Sequence, residues 1–588
     1  MHNNGEWEVL NATLMHDYNA LPVSYKKASH YEMPFNAGEK AWIFPTGLQH
    51  EGKELSFILK AASEYPFEVP DIYTYPALEM LKYPHVEKNG KLCVWPESKQ
   101  FDPTCKYYFQ ELLKDAHQLV TDILNDKLTD DFTKGFNSYW NINTDPQYSI
   151  LSLCETTVTY SREVYTHCAN RTYIFSDDKE QLKTYLVNTG VKTNVKDQDL
   201  QKTFLLRIDT PWHPQDYPKN VNDIFSHLSS EVGEIKAAKL IYQANNNAYT
   251  ASPCLLMVNT PNGVTVCGLM MTVNSSDKRI HKQRKELEGV GQGFRNGAMN
   301  ALKNFIPRVK YKPVRQLRGQ RIDPSWVLGR DCNSDISEFK NATVAVIGLG
   351  SVGSHLLPLL ARSGVRNFVL IDSDIVETAN IGRQWYGFHQ IGKPKVSACS
   401  SEIIKQFPWI NCKTYSLNWL SSQQAISDLS RADLIISATG SWSSDRALGQ
   451  LSEQDELPPI LWAFTESYGA ATHAFYDPTG GFELERLFDE TGGFSNSVAS
   501  FNHETLKALP SCGGYFQSYG MGELSYGHAM ISQLALSALL GRLSCEQKTY
   551  HIWVGDKHVI DANGGMWSPA FSDEHQWCHD GNCLIIRS

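Results

Sequence analysis

Three glycines, two cysteines and a run of polar residues between 372 and 395 carry the chemistry that this sequence can do. Gly348, Gly350 and Gly353 stand in G-x-G-x-x-G spacing directly after the apolar, β-branched run Val344–Ile347. A helix-length apolar segment follows, then a turn at Gly364, a second buried strand from Phe368 to Ile371, and Asp372. A strand-turn-helix-strand unit with an acid about 20 residues past the glycines is the arrangement that binds a nucleotide. Glycines let the backbone approach phosphate, and the helix N-terminus offers unpaired N–H groups to an anion. Asp372 is placed to accept hydrogen bonds from ribose hydroxyls.

The residues after the second strand decide which nucleotide. Asp374, Asn380, Arg383, Gln384 and Lys395 fall within a short span. A dinucleotide has no triphosphate for so many polar and cationic groups to hold. ATP does, and an acyl-adenylating reaction needs cations on the departing pyrophosphate. This D-x-D, N-x-x-R-Q, G-x-P-K order resembles the ThiF-type adenylating domain of the ubiquitin-activating superfamily. The resemblance implies ATP as cofactor, with Gly348, Gly350, Gly353, Asp372, Asp374, Asn380, Arg383, Gln384 and Lys395 around it. Mg²⁺ is expected with the phosphates. Many superfamily members place an Asp where this chain has Gly440, which leaves Asp372, Asp374 and Asp445 as candidate carboxylates. The segment Gly387–Lys393 imitates a P-loop, but Pro394 occupies its Ser/Thr position and no strand leads into it.

Near the other end of the chain, Cys93 lies in Asn89-Gly90-Lys91-Leu92-Cys93. Strand-like stretches (Trp42–Pro45, Leu55–Leu59) and the proline-punctuated Tyr65–Pro70 precede it. Leu112, Leu113, Ala116, Leu119, Val120, Ile123 and Leu124 recur after it at helical spacing. The order resembles the ubiquitin-conjugating fold, whose nucleophilic cysteine follows an asparagine by eight residues. Here His85 holds that register, in Tyr83-Pro84-His85. The resemblance makes Cys93 a thioester-forming nucleophile, with His85 as an oxyanion donor or an aid to the incoming amine.

Toward the C-terminus the family's second cysteine, on a loop crossing the adenylate, matches Cys512 in Ser511-Cys512-Gly513-Gly514. Arg330, just before the first strand of the nucleotide unit, matches an arginine that reaches into the site of the other subunit of a dimer. Cys545 reads as structural, and Cys578 and Cys583 as free thiols.

These groups must be positioned by a chain of 588 residues with 42% hydrophobic and 11% aromatic content, enough for several cores. The expectation is a multidomain α/β protein: a ubiquitin-conjugating-like α+β domain at 1–148, an α+β connector at 149–325, and a Rossmann-like adenylating domain with a parallel-rich sheet at 326–588. Net charge is −10, which gives no overall polyanion-binding character. Two local basic runs, Lys278–Lys285 and Arg308–Arg321, lack the aromatic interleaving of a single-strand binder, so nucleic acid is disfavoured. The thirteen cysteines lack regular spacing and any C-x-x-C pair, unlike the zinc-bearing activators of sulfur carriers. The absence of a signal-like start or a bilayer-length apolar run points to the cytoplasm.

The domain order resembles the fused activating-and-conjugating enzymes of bacterial CBASS antiphage operons, the CD-NTase-associated protein two family. That implies a homodimer and a partner, a cGAS-like CD-nucleotidyltransferase, whose C-terminus is adenylated, passed to Cys512 and then Cys93, and joined to a lysine on an unknown acceptor. Two alternatives stand beside it: a sulfur-carrier-type adenylyltransferase, and an activating enzyme whose first domain only binds a partner.

Overall fold

The computed structural model describes all residues except 1–3, 25–28, 32, 37, 106, 246–251, 272–305, 308, 455–456, 479–482, 490–491, 509–514 and 588. Cys512 and the basic run Lys278–Lys285 therefore lie outside the described residues. The chain forms two compact units, residues 1–177 with 200–321, and residues 178–199 with 322–588.

The first unit opens with helix α1 (Asn4–Asp17) and a five-stranded antiparallel meander. Its strands are β1 (Leu21–Val23), β2 (Lys40–His50), β3 (Lys53–Ala61), β4 (Asp71–Tyr75) and β5 (Lys91–Leu92), in chain order. The expected pair is in register, with Trp42 opposite Leu59 and Phe44 opposite Phe57. Helix α2 (Tyr108–Leu124) lays Leu112, Leu113, Ala116, Val120 and Ile123 onto one sheet face, the face the spacing predicts. Two short helices follow, α3 (Asp131–Lys134) and α4 (Phe136–Ile142).

The middle of the chain is a closed barrel, a more definite object than the α+β connector read from its strand-like runs. Strands β6 (Ser149–Ser152), β7 (Arg162–Ala169), β8 (Thr172–Ser176), β9 (Gln201–Ile208), β10 (Ser252–Thr260), β11 (Gly263–Met271) and β12 (Val314–Arg321) close in the order β10-β11-β12-β6-β8-β7-β9. Ile150, Val164, Phe175, Leu205, Leu255, Met257 and Leu317 fill its interior. The alternate residues Phe204, Leu206, Ile208, Leu256 and Val258 face outward, under the helices Val221–Val232 and Glu234–Asn245. Phe136 and Trp140 of α4 join that outer core. Trp140 is fully buried and its Nε1–H donates to the Leu317 carbonyl at 3.0 Å. Along β12 exposure alternates: Arg315 and Arg318 face out, while Arg321 is buried and donates to the Val264 carbonyl. Arg308 lies outside the described residues, and from Lys310 onward the second basic run is no continuous surface stripe.

The second unit is built on an eight-stranded sheet. Strands β13 (Thr343–Ile347), β14 (Asn367–Ile371), β15 (Asn411–Tyr415), β16 (Leu434–Ser437) and β17 (Ile460–Thr465) are parallel, in the order β15-β14-β13-β16-β17. Antiparallel β18 (Ala471–Asp477) and the strands Thr549–Asp556 and Gly581–Arg587 extend it. Val344 and Val346 pack on one face and Ala345 and Ile347 on the other, so both faces are covered. That double burial is why these strands read as unbroken apolar runs. Two cysteine readings need correction. Cys578 and Cys583 are joined in a disulfide, because the turn Gln576–Cys578 brings the first beside the last strand. Cys545 is exposed, past the end of the helix Met521–Leu539 rather than in its packed face.

Candidate functional sites

In the second unit, the sequence-predicted nucleotide residues follow the C-terminal ends of β13 and β14. The three glycines differ in what they do. Gly348 has φ +89°, and a Cβ there would meet the Ala438 carbonyl oxygen at 2.6 Å. At Gly353 a Cβ would lie 1.9 Å from the Gly348 oxygen, so the helix Gly353–Ser363 can start only from glycine. Gly350 faces open space, with nothing within 4 Å of an added Cβ. The first and last glycines close the turn, and the middle one leaves room for a ligand's phosphate.

Asp372 holds this loop. Its carboxylate accepts the Leu349 N–H at 2.6 Å and the Asp374 N–H at 2.8 Å. Burial raises its pKa above the ordinary carboxyl value, against the lowering pull of Lys395 and the two N–H groups. Lys395 is buried, and its Nζ reaches the half-exposed Asp374 at 2.8 Å. Asn380 shapes the next turn: its Oδ1 accepts the Glu377 N–H, and its carbonyl accepts the N–H groups of Arg383 and Gln384. Gln384 is buried, and among the described residues its Oε1 meets no partner. Arg383 donates to the Gln517 carbonyl at 3.0 Å and lies over the rings of Phe516 and Tyr519. Ser351 meets the Tyr519 hydroxyl at 2.9 Å. The chain that leaves the Cys512 segment is therefore tied to both the glycine loop and the arginine.

Beneath the loop lie two residues that sequence reasoning missed. The rings of His355 and His528 stack with centroids 4.9 Å apart. His355 hydrogen-bonds the backbone of Arg383, and His528 that of Ser351. Burial lowers both, His528 to about 4, with the neighbouring His355 adding to the effect. The two histidines lie on different helices, Gly353–Ser363 and Met521–Leu539, so nothing local in the sequence marks this pair.

Asp445 is buried below β16. Its Oδ1 accepts from Ser437 at 2.5 Å and Thr439 at 3.2 Å, and burial raises its pKa to about 6. Among the described residues no group of three or more His, Cys, Asp or Glu is placed to hold a metal by itself. The open space at Gly350, the orphan Gln384 oxygen and the Lys395 and Arg383 cations fit a nucleoside triphosphate. Asp374 is the most exposed carboxylate beside it. Arg330 is exposed, in a left-handed conformation at the end of the helix Pro324–Gly329, with its guanidinium folded back onto the carbonyls of Trp326 and Val327.

In the first unit, Cys93 follows β5 and is exposed. Its N–H donates to the His85 carbonyl at 2.9 Å, which closes a loop through Gly90. Gly90 has φ +75° and lies so close to Thr74 and Ala77 that a Cβ would meet them at 2.8 and 2.9 Å. His85 itself has φ +59°, a strained conformation for a non-glycine residue. Its N–H donates to the Tyr139 hydroxyl at 3.1 Å, and its Nε2 lies 3.0 Å from Asp131 Oδ2. Lys134 reaches the other oxygen of Asp131 at 2.6 Å. Cys93, His85, Asp131 and Tyr139 line one cavity of about 940 Å³, whose wall includes Asn262 from the β10–β11 turn. The Cys93 thiol is pushed above its ordinary value by partial desolvation and by Glu87, with Lys91 opposing and Glu97 adding to the rise. Asp131 was not read from the sequence; it comes from a helix long past the cysteine and carries no motif with it.

Comparison with known proteins matches residues 329–544 to the ThiF family and residues 36–148 to prokaryotic E2 family B. The NEDD8-activating enzyme E1 catalytic subunit of Arabidopsis thaliana is 32% identical over 105 residues, 17% of this chain and 23% of that protein. The tRNA threonylcarbamoyladenosine dehydratase of Bacillus subtilis (strain 168) is 36% identical over 90 residues, 15% of this chain and 35% of that one. This chain thus spans about a quarter to a third of the length of these two curated relatives. A solved structure of E. coli tRNA N6-threonylcarbamoyladenosine dehydratase in complex with ATP aligns at 17% identity over 37% of this chain and 93% of that one, with a TM-score of 0.27. No helix among the described residues is long and apolar enough to cross a membrane.

Proposed function

We propose that this chain, in which a prokaryotic E2 family B domain precedes a ThiF domain, activates a protein C-terminus with ATP and conjugates it to an amine. The observation that supports this best is the pairing of two sites in one polypeptide. One is a glycine loop with Asp372, Arg383 and Lys395 around open space; the other is an exposed cysteine in a cavity beside a histidine. In the first, the C-terminal carboxylate attacks the α-phosphorus of ATP and pyrophosphate leaves. Arg383 and Lys395 offset the charge that builds on the leaving group. Mg²⁺ bound with the phosphates would supply further charge, with Asp374 the most accessible carboxylate and Asp372 and Asp445 behind it. The Cys512 thiolate then attacks the acyl carbon and AMP leaves. The acyl group exchanges from Cys512 to Cys93, and a lysine amine on the acceptor takes it.

The resemblance to the CBASS enzymes supplies the finer reading: the C-terminus belongs to a cGAS-like CD-nucleotidyltransferase, the reaction serves antiphage defence in the bacterial cytoplasm, and two copies assemble so that Arg330 reaches the partner's site. The test is a non-reducing gel of the protein with ATP, Mg²⁺ and the nucleotidyltransferase encoded beside it, for wild type, Cys93→Ala and Cys512→Ala. The relay requires an ATP-dependent, thiol-sensitive adduct that persists in Cys93→Ala and vanishes in Cys512→Ala. No adduct in any of the three would return the second unit to plain nucleotide binding and the first to docking.

A further inference from the structure

The geometry points to Asp131 as the residue that sets His85 to work as the base in the last transfer, from Cys93 to an acceptor amine. This rests on the reading above and extends it to a residue that no motif assigns.

A carboxylate accepts hydrogen bonds and donates none, so at the 3.0 Å contact Nε2 of His85 carries the proton. In the neutral ring that leaves the lone pair on Nδ1. Asp131 is itself ionised: burial pushes its carboxyl up, but the hydrogen bonds and charges of Lys134 and His85 outweigh burial and hold it below its ordinary value. The ring is fixed from the backbone side as well, since the His85 N–H is held by Tyr139 and the His85 carbonyl by the Cys93 N–H. A residue held in a left-handed conformation by contacts on three sides has been placed at a cost, and such cost collects where a side chain must point one way. Asp131 is therefore a positioning residue: it acts through His85, as an acid orients a histidine in a hydrolase triad.

An acceptor amine must lose protons to become an amide. Acceptor lysines arrive as ammonium ions, because their ordinary pKa is about 10.4. The cavity wall carries Glu87 and Asp131 beside Lys88 and Lys134, so its charge is balanced and the ammonium ion must be deprotonated rather than merely attracted. The amine nitrogen bonds to the acyl carbon as the carbon–sulfur bond breaks, and the bonding pair returns to Sγ of Cys93. Going from ammonium to amide releases two protons. His85 Nδ1 takes the first, which frees the nitrogen lone pair for attack, and hands it to solvent; the second leaves the tetrahedral adduct for the departing thiolate. The raised pKa of that thiol makes it a ready acceptor for this proton. The cavity wall also includes Ile142, Asn143 and, from the barrel, Asn262, which donates to the Lys134 carbonyl at 3.2 Å. The barrel thus supports the helix that carries Asp131.

The test uses the full chain and bypasses the activating unit. Cys93 is charged by exchange with a synthetic peptidyl-glycine α-thioester, and adducts at other thiols are subtracted with Cys93→Ala. The charged protein is chased with free lysine and, separately, with hydroxylamine, which is largely unprotonated at neutral pH and needs no base to attack. Asp131→Asn is expected to accept the acyl group normally and to discharge to lysine at least tenfold more slowly. Hydroxylamine should discharge it at the wild-type rate, and Asp131→Glu should recover part of the loss. His85→Gln should show the same split, and the double variant should be no slower than either single one. Wild-type discharge of Asp131→Asn to lysine would overturn the inference and leave the conjugating reading standing. Equal slowing toward both nucleophiles would also overturn it, because a distorted site slows both. A wild-type protein that cannot be charged at Cys93 would remove the conjugating reading and this inference together.

Discussion

The Asp372 carboxylate accepts the Leu349 N–H at 2.6 Å, so the acid at the end of the second strand holds the glycine loop that follows the first. Asp372 is thus occupied before any ribose arrives, and its first task is to fix the loop. Asp372→Asn replaces an acceptor-only group with one whose NH₂ must face one of the two backbone donors. A hydrogen bond to a charged group is worth about 1.5–3 kcal/mol. ATP binding by calorimetry should weaken at least tenfold, with a lower melting temperature; unchanged affinity would mean that the loop is held by its glycines alone.

The glycines themselves separate folding from binding. Gly353→Ala forces a Cβ within 1.9 Å of the Gly348 oxygen and should destabilise the second unit by several kcal/mol, seen as a large fall in urea midpoint. Gly350→Ala adds its methyl to open space, so the midpoint should hold while nucleotide affinity falls. If the two variants behave alike, Gly350 does not face the phosphates.

Arg383→Ala and Lys395→Ala should both abolish ATP-dependent activation and leave the fold intact. Lys395 bonds the exposed Asp374 and also offsets the buried Asp372, so its removal should raise the Asp372 pKa further while leaving that carboxyl its two backbone N–H partners. Pyrophosphate exchange measures the activity, and circular dichroism checks the fold. Normal exchange by either variant would sink the site assignment.

Cys93 should be a slow thiol at neutral pH, because its pKa lies above the ordinary thiol value and only the thiolate is nucleophilic. Glu87→Gln removes the largest charge contribution to that rise, so alkylation at pH 7–8 should speed up severalfold. Rate against pH, read by mass spectrometry of the Cys93 peptide, checks it; an unchanged profile would leave desolvation as the whole cause.

His528 predicts a pH dependence of stability. Its folded pKa of about 4 lies below the ordinary 6.5, so the unfolded chain binds more protons between those values. The stabilisation is fully present above about pH 6.5 and is lost as pH falls toward 4. At about 1.4 kcal/mol per unit this is at most about 3 kcal/mol. His528→Gln should flatten that slope in melting temperature against pH. His355 pulls the same way, so some slope should survive in the single variant.

The nucleotide unit was legible because its signals are local. Doubly buried strands read as apolar runs, and the glycines and Asp372 keep fixed spacings from them. Cys93 was legible for the same reason, through the turn at Gly90. The barrel was not, because its closure pairs β12 with β6, strands that begin at residues 314 and 149, and β6 with β8 in parallel. No neighbouring residues encode such pairings. Asp131 and the His355–His528 stack escaped for the same physical reason: each partner is brought in by tertiary packing, with no sequence interval to mark it. The Cys578–Cys583 bond is close in sequence but was hidden in an odd count of thirteen cysteines, which says nothing about any one pair.

The indole of Trp140, seated in the barrel's outer core with its N–H on Leu317, also bears on inheritance. A gene broken after codon 148 would yield one product with two large bare rings, Phe136 and Trp140, and another with an unfilled socket. Neither half could be shuffled into a new protein without a repair to its surface. The barrel and the fold that carries Cys93 are thus halves of one compact unit, and a cut between them would cost both.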